Sequence, residues 1–145
     1  MRITYNLPQV FNPSASQAEN AQVLRVLLDC LIQINLAYLK NHAAADLYQS
    51  GVVYGRTKIW ECIPALYQRG FGDCKSLSAA LVAQYLRQGK KCRPVFRWIK
   101  SKNPNRIGET DYHILVQTED GRFEDPSKVL GMGREENRQF YDYSE

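Results

Sequence analysis

A nucleophilic thiol, an imidazole base and a carboxylate to orient it occur in this chain in that order, as Cys74, His113 and Asp125. A thiol becomes a strong nucleophile where its thiolate is stabilised, and the free N–H groups and dipole at a helix N-terminus do this. Cys74 follows Gly72-Asp73 and opens an apolar-periodic segment that Gly89 terminates. Asp73 therefore reads as an N-cap and Cys74 as a first-turn residue. Gly70 and Gly72 let the backbone turn tightly ahead of the thiol and leave room for a substrate carbonyl. The Cys74 N–H lacks an intrahelical partner, which makes it a candidate oxyanion donor. The other cysteines read differently. Cys30 on the apolar face of a long helix and Cys92 in a strand are expected to be small core residues. Cys62 carries no pattern that assigns it.

The chain has two histidines. His42 lies in a polar-to-alanine helical stretch and reads as a surface residue, whereas His113 opens a strand continued by Ile114, Leu115 and Val116. Hairpin geometry ties His113 to Asp125. If Glu119-Asp120-Gly121 forms a three-residue loop with Gly121 left-handed, Thr118 pairs with Arg122. Leu115 then lies opposite Asp125, and His113 opposite Ser127. Asp125 becomes a diagonal neighbour of His113 on the same face, about 7–8 Å away along the backbone. A two-residue Asp-Gly loop would instead put the two on opposite faces. Asp125 also precedes Pro126-Ser127, ordinary turn chemistry, and the two roles are compatible. In such a triad His113 takes the thiol proton and returns it to the leaving amine, while Asp125 fixes the imidazole tautomer.

These residues need elements to hold them. Residues 1–12 read as a short strand or arm stopped by Pro13, and Ser16-Gln17-Ala18-Glu19 as a capping box. The helix that follows, at about 17–40, places Leu24, Leu27, Leu28, Leu31, Ile34 and Tyr38 on one face. Val23, Val26, Cys30 and Ala37 widen the stripe beyond what a surface helix needs, so this helix is central to the core or shared with a partner, a second copy included. Its pattern runs on through residues 43–47 to a stop at Gly51. Residues 52–61 are ambiguous, a short helix covers 64–69, and the Cys74 helix extends to about Gln88. The period then changes, and 92–99, 112–118 and 122–125 read as strands. Helices followed by antiparallel strands give an α+β class in one domain over residues 1–145, with a helical part at about 1–51 and the chemistry within 60–132. The polar segment 100–110 reads as a solvated connection or as a rim or lid beside His113. Phe140-Tyr141-x-Tyr143 reads as packing or a frayed tail.

With 44% hydrophobic and 23% charged residues, the composition fits a soluble globular domain and not a disordered chain. The net charge of +4 is mild and would help an acidic or amide-bearing substrate approach. Its basic groups, Lys90, Lys91 and Arg93, then Lys100, Lys102 and Arg106, are not interleaved with aromatics, so no nucleic-acid partner is expected. Met1-Arg2-Ile3-Thr4-Tyr5 has no apolar core of a secretory signal, and Arg25, Asp29, Gln33 and Asn35 interrupt the apolar run at 24–39. The expected setting is cytoplasmic, with no membrane span and with reduced thiols. No C-x-x-C pair points to zinc, and the proposed chemistry requires neither metal nor cofactor.

Gly72-Asp73-Cys74-Lys75-Ser76-Leu77-Ser78 resembles the nucleophile motif of the transglutaminase-like superfamily, thiol enzymes of papain-like fold. The Trp60-x-x-x-Pro64 segment, the Tyr112-His113 strand and Asp125-Pro126-Ser127 extend the resemblance over residues 60–132, roughly half the chain. It implies a cysteine helix packed on an antiparallel sheet that carries the histidine and aspartate, and a thioester intermediate. It also implies a second oxyanion donor upstream of the cysteine, for which Trp60, Tyr67 and Gln68 are candidates. Gln68, six residues before Cys74, has the spacing of papain-type peptidases. The chain lacks the calcium loop and extra domains of the large cross-linking members, which favours hydrolysis of a peptide or amide bond over cross-linking. Two other readings compete. One is a catalytically silent member serving as a binding or assembly module, such as a phage or bacterial accessory protein. The other is a cell-wall amidase or endopeptidase, against which the missing export signal speaks.

Overall fold

A computed structural model of the chain describes residue 4 and residues 16–141; apart from Thr4, the arm expected over residues 1–12 lies outside the described residues, as does Tyr143. The first helix, α1, spans Gln17–Asn41. Its capping box is formed: the Glu19 N–H donates to Ser16 Oγ at 3.2 Å, and the Ser16 N–H to Glu19 Oε2 at 2.7 Å. The helix does not run on through 43–47. His42 turns extended and stacks its ring on Tyr38 at 4.5 Å, and Leu47–Gln49 forms a separate 3-10 turn that buries Leu47.

The buried face of α1 overlaps the expected apolar stripe at Leu24, Leu28 and Leu31, with Leu27 and Tyr38 half-buried, but is rotated toward Ile32, Asn35 and Leu39. Leu24, Leu28, Leu31, Ile32, Asn35 and Leu39 are inside, while Val26 and Ile34 are about half exposed and Cys30 is exposed. The wide stripe lets hydropathy place the buried face only to within a part-turn of rotation. Asn35 helps to fix it. Its Oδ1 accepts the Ile63 N–H at 2.8 Å, one of the donors left over at the start of the second helix, α2 (Ile63–Arg69). By length and composition α1 would also pass as a membrane span, with a mean hydropathy of 1.4 over 18 residues; here its inner face packs against the cysteine helix.

That helix, α3 (Cys74–Arg87), is the centre of the molecule, and every residue from 74 to 84 is buried. Ala79, Ala80 and Ala83 let α1 approach on one side, and the sheet covers another. A helix buried all round must satisfy its polar side chains internally. Ser76 Oγ accepts the Glu61 N–H at 2.9 Å, and Ser78 Oγ donates to the Ile114 carbonyl at 3.1 Å. Gln84 accepts the Leu47 N–H at 3.0 Å and donates to the Ala45 carbonyl at 3.1 Å. The helix thus ties down two connecting segments and one strand by hydrogen bonds.

Two small sheets flank α3. Val53–Tyr54 (β1) pairs in parallel with Phe71–Gly72 (β2). Cys92–Lys100 (β3), Thr110–Thr118 (β4) and Phe123–Glu124 (β5) form an antiparallel sheet in sequence order, closed by a one-turn helix, α4 (Pro126–Val129). The arrangement is α+β, mixed helix and strand with a small antiparallel sheet. Phe140 packs on Phe71 at 5.8 Å and Tyr141 meets Tyr54 edge-on at 6.3 Å, so the described C-terminal aromatics are packed.

Candidate active site

The approach to Cys74 is built by two glycines with different jobs. Gly70 ends α2 at φ 82°, a left-handed cap that glycine adopts without strain. Gly72 needs no such freedom. A Cβ there would stand 2.5 Å from Leu66 Cδ1, so its lack of a side chain is what lets α2 pack beside the start of α3. Asp73 then caps α3, accepting the Lys75 N–H at 3.2 Å. Its other oxygen is bonded by the Lys75 ammonium, which also donates to the Thr57 carbonyl at 2.8 Å. Lys75 is only 4% exposed, and buried lysine persists only when paired in this way.

Cys74 is the first residue of α3 and is 8% exposed. Burial pushes its thiol up to about 12, and the Asp73 carboxylate pushes the same way. The Lys75 ammonium and a hydrogen bond from the Ile114 backbone oppose the rise without cancelling it. A helix start by itself predicts a thiolate; desolvation outweighs it, and the resting group is a neutral thiol. Burial likewise raises the Asp73 carboxyl against the pull of Lys75.

The hairpin after β4 has the three-residue geometry. The Thr118 N–H donates to the Arg122 carbonyl at 3.0 Å, Gly121 sits at φ 82°, and Val116 and Gln117 face Glu124 and Phe123. This register brings Asp125 diagonally to His113, whose Nε2 lies 2.9 Å from Asp125 Oδ2. Asp125 Oδ1 accepts the Lys128 N–H at 3.2 Å and so caps α4. An ionised carboxylate only accepts, so Nε2 carries the proton toward Asp125 and Nδ1 is left as a base. Nδ1 has no protein partner among the described residues. The bond from Ser78 to Ile114 ties β4, which carries His113, to α3, which carries Cys74.

Cys74, His113 and Asp125 line one cleft of about 860 Å³. Trp60, Tyr67 and Gln68 do not reach it. The Tyr67 hydroxyl donates to Ala45 at 2.8 Å and accepts from Gln84 at 3.0 Å, near the far end of α3; Gln68 is exposed on α2, and Trp60 packs against the core. Tyr54 and Tyr112 stand in the cleft instead, and burial, reinforced by the Asp73 carboxylate and by Cys74 once ionised, raises their hydroxyls. Tyr54 arrives through the β1–β2 register, opposite Gly72. Nothing in the sequence around Tyr54 announces this, because a two-residue parallel strand has no periodicity to read. Among the described residues no group of His, Cys, Asp and Glu is placed to hold a metal ion, and all four cysteines are free. The chain matches no protein-family model, no curated protein and no solved structure.

Proposed function

We propose that the protein is a transglutaminase-like thiol enzyme of papain-like fold that transfers acyl groups by hydrolysing a peptide or amide bond. The observation that carries this reading is the 2.9 Å His113–Asp125 bond in the same cleft as a cysteine at a helix start. The bond points the basic Nδ1 away from Asp125. As the carbonyl of the substrate enters, Nδ1 takes the Cys74 proton while Sγ attacks the carbonyl carbon. The electron pair of the carbonyl moves to oxygen, where the Cys74 N–H receives it. The Tyr54 hydroxyl, in the cleft and opposite Gly72, is the side-chain donor in place of Trp60, Tyr67 or Gln68. Collapse expels the amine, which takes the proton from Nδ1, and leaves a thioester on Cys74. Water, deprotonated by Nδ1, then releases the acid and restores the thiol.

A neutral resting thiol suits general-base catalysis, in which the proton leaves only during attack. The same neutrality is the observation favouring the second reading, a silent binding or assembly module. The outward face of α1, with Val26, Cys30 and Ile34 exposed, is where such a module would meet a partner or a second copy. N-acetylglycine p-nitrophenyl ester separates the two readings. The enzyme reading expects a burst of p-nitrophenolate and an N-acetylglycyl mass on Cys74, both lost in Cys74→Ser and strongly reduced in His113→Ala. Absence of the adduct, or its indifference to His113, refutes the enzyme.

A further inference from the structure

The charge of the cleft bears on which substrate Cys74 would attack, and its meaning rests on the acyl-transfer reading. Arg56, Arg97, Lys100, Lys102 and Lys128 all line the cleft and all are exposed. They come from the residues after β1, from β3, from the loop beyond it and from α4, so folding gathers them from four separate places in the chain. The three acids lining the same cleft are already engaged: Asp73 by Lys75, Asp111 by Arg106 at 2.8 Å, and Asp125 by His113. None of the five cations makes an ion pair among the described residues. Elsewhere on the surface some bases meet acids, as in Lys91–Glu119 at 3.1 Å and Arg138–Glu135 at 2.8 Å, and the other bases are spread over separate elements. The lining of the cleft thus holds six Arg and Lys side chains against three carboxylates, an excess of positive charge beside Cys74. Like charges held together repel, and the field they focus is relieved when an anion enters.

We propose that the acyl substrate is an acidic peptide, with carboxylate side chains flanking the carbonyl that Cys74 attacks. Arg97 is pre-set for a carboxylate: its guanidinium lies 4.7 Å over the Phe123 ring, which holds the plane and leaves its edge free for a paired bond. Exposed Ile99 and Phe123 supply apolar contact between the cations. Among the described residues β3 pairs only with β4, so its outer edge offers backbone groups to an extended peptide. Nucleic acid fits less well. Phe96, Trp98 and Tyr112 pack on one another within 5.8 to 6.4 Å and do not stand free as base platforms. Thiol acyl transfer also needs a carbonyl carbon, which a peptide provides at every residue.

The test uses three chloromethyl ketones, N-acetyl-Glu-Glu-Gly, N-acetyl-Gln-Gln-Gly and N-acetyl-Lys-Lys-Gly, with the rate of Cys74 labelling followed by mass spectrometry. With two carboxylates engaged, the Glu peptide should label about tenfold faster than the Gln peptide at low salt. Its advantage should shrink between about 20 mM and about 200 mM salt as screening shortens the field. The Lys peptide should be slowest, and joint Lys100→Gln and Lys102→Gln substitution should narrow the Glu-to-Gln ratio. Equal Glu and Gln rates, at a Cys74 whose labelling still depends on His113, overturn the acidic substrate and leave the acyl-transfer reading standing. If no peptide labels Cys74 faster than glutathione, the acyl-transfer reading falls and this inference with it. If a single-stranded oligonucleotide blocks labelling at lower concentration than free N-acetyl-Glu-Glu-Gly, the cations serve nucleic acid and the peptide is overturned.

Discussion

Limiting iodoacetamide at neutral pH should spare Cys74 and find Cys30 first. A helix start alone argues the reverse, since it lowers thiol pKa and would make Cys74 the most reactive cysteine. In the folded protein Cys74 is 8% exposed and its thiol is pushed from 9.0 up to about 12, chiefly by burial. That rise cuts the thiolate population at neutral pH about a thousandfold. A more basic thiolate is also a better nucleophile; with a Brønsted slope of about 0.4–0.5 it recovers about twentyfold. Cys74 should therefore alkylate about fiftyfold more slowly than an ordinary thiol, even before steric shielding, while exposed Cys30 reacts normally. Its rate should keep rising through pH 10 with no plateau. Peptide mapping after graded labelling reads each cysteine separately. Selective labelling of Cys74 near pH 6, abolished by His113→Ala, would reveal a resting thiolate–imidazolium pair. That outcome would refute the claim that burial outweighs the helix start.

Three other outcomes follow from the same geometry. Asp125→Asn keeps a capping side chain for α4 but loses the carboxylate that orients His113, so acylation of Cys74 should slow by about a hundredfold or more in the ester assay; Asp125→Ala should in addition lower stability by about 1 kcal/mol in urea titration. Asn35→Ala strips the buried Ile63 N–H of its acceptor and should destabilise the fold by about 1–3 kcal/mol, whereas a surface control such as Gln33→Ala should be near neutral by the same titration. In alkali the unfolded Cys74 thiol loses its proton near 9.0 while the folded one keeps it to about 12, so the unfolded state binds fewer protons between those values. Stability should then fall with rising pH across that window, by roughly 1 kcal/mol per pH unit from this group, and Cys74→Ser should lack that component in denaturant titrations at stepped pH.

Local signals hold where a single short segment carries the physics. The capping box at Ser16 and Glu19, the Asp73 cap, the left-handed Gly70 and the odd-length loop at Gly121 all form as their residue types require. The hairpin matters most for the site. Side chains alternate with a period of two, so loop length alone fixes whether Asp125 shares a face with His113, and three residues put it there. The buried face of α1 departs from expectation for the opposite reason. Its apolar stripe is wide enough to allow a part-turn of rotation, and contacts that fix the rotation, such as Asn35 to Ile63, join residues far apart in the chain.

By itself, then, the sequence determined the α+β element pattern, a cysteine at a capped helix start, and a histidine and aspartate within reach of one another, because each depends on turn chemistry or periodicity over a few residues. The tertiary structure decided the rest. It surrounded α3 on all sides, which buried Cys74 and made its thiol neutral, since desolvation depends on what packs around a group and not on its neighbours in sequence. It left Trp60, Tyr67 and Gln68 away from the cleft and brought Tyr54 in through the two-residue parallel pair. It also gathered cations scattered from residue 56 to residue 128 around one thiol, while acids on the same cleft were spent on bases beside them. Long-range electrostatics follows distance in space, and that distance exists only once the chain has folded.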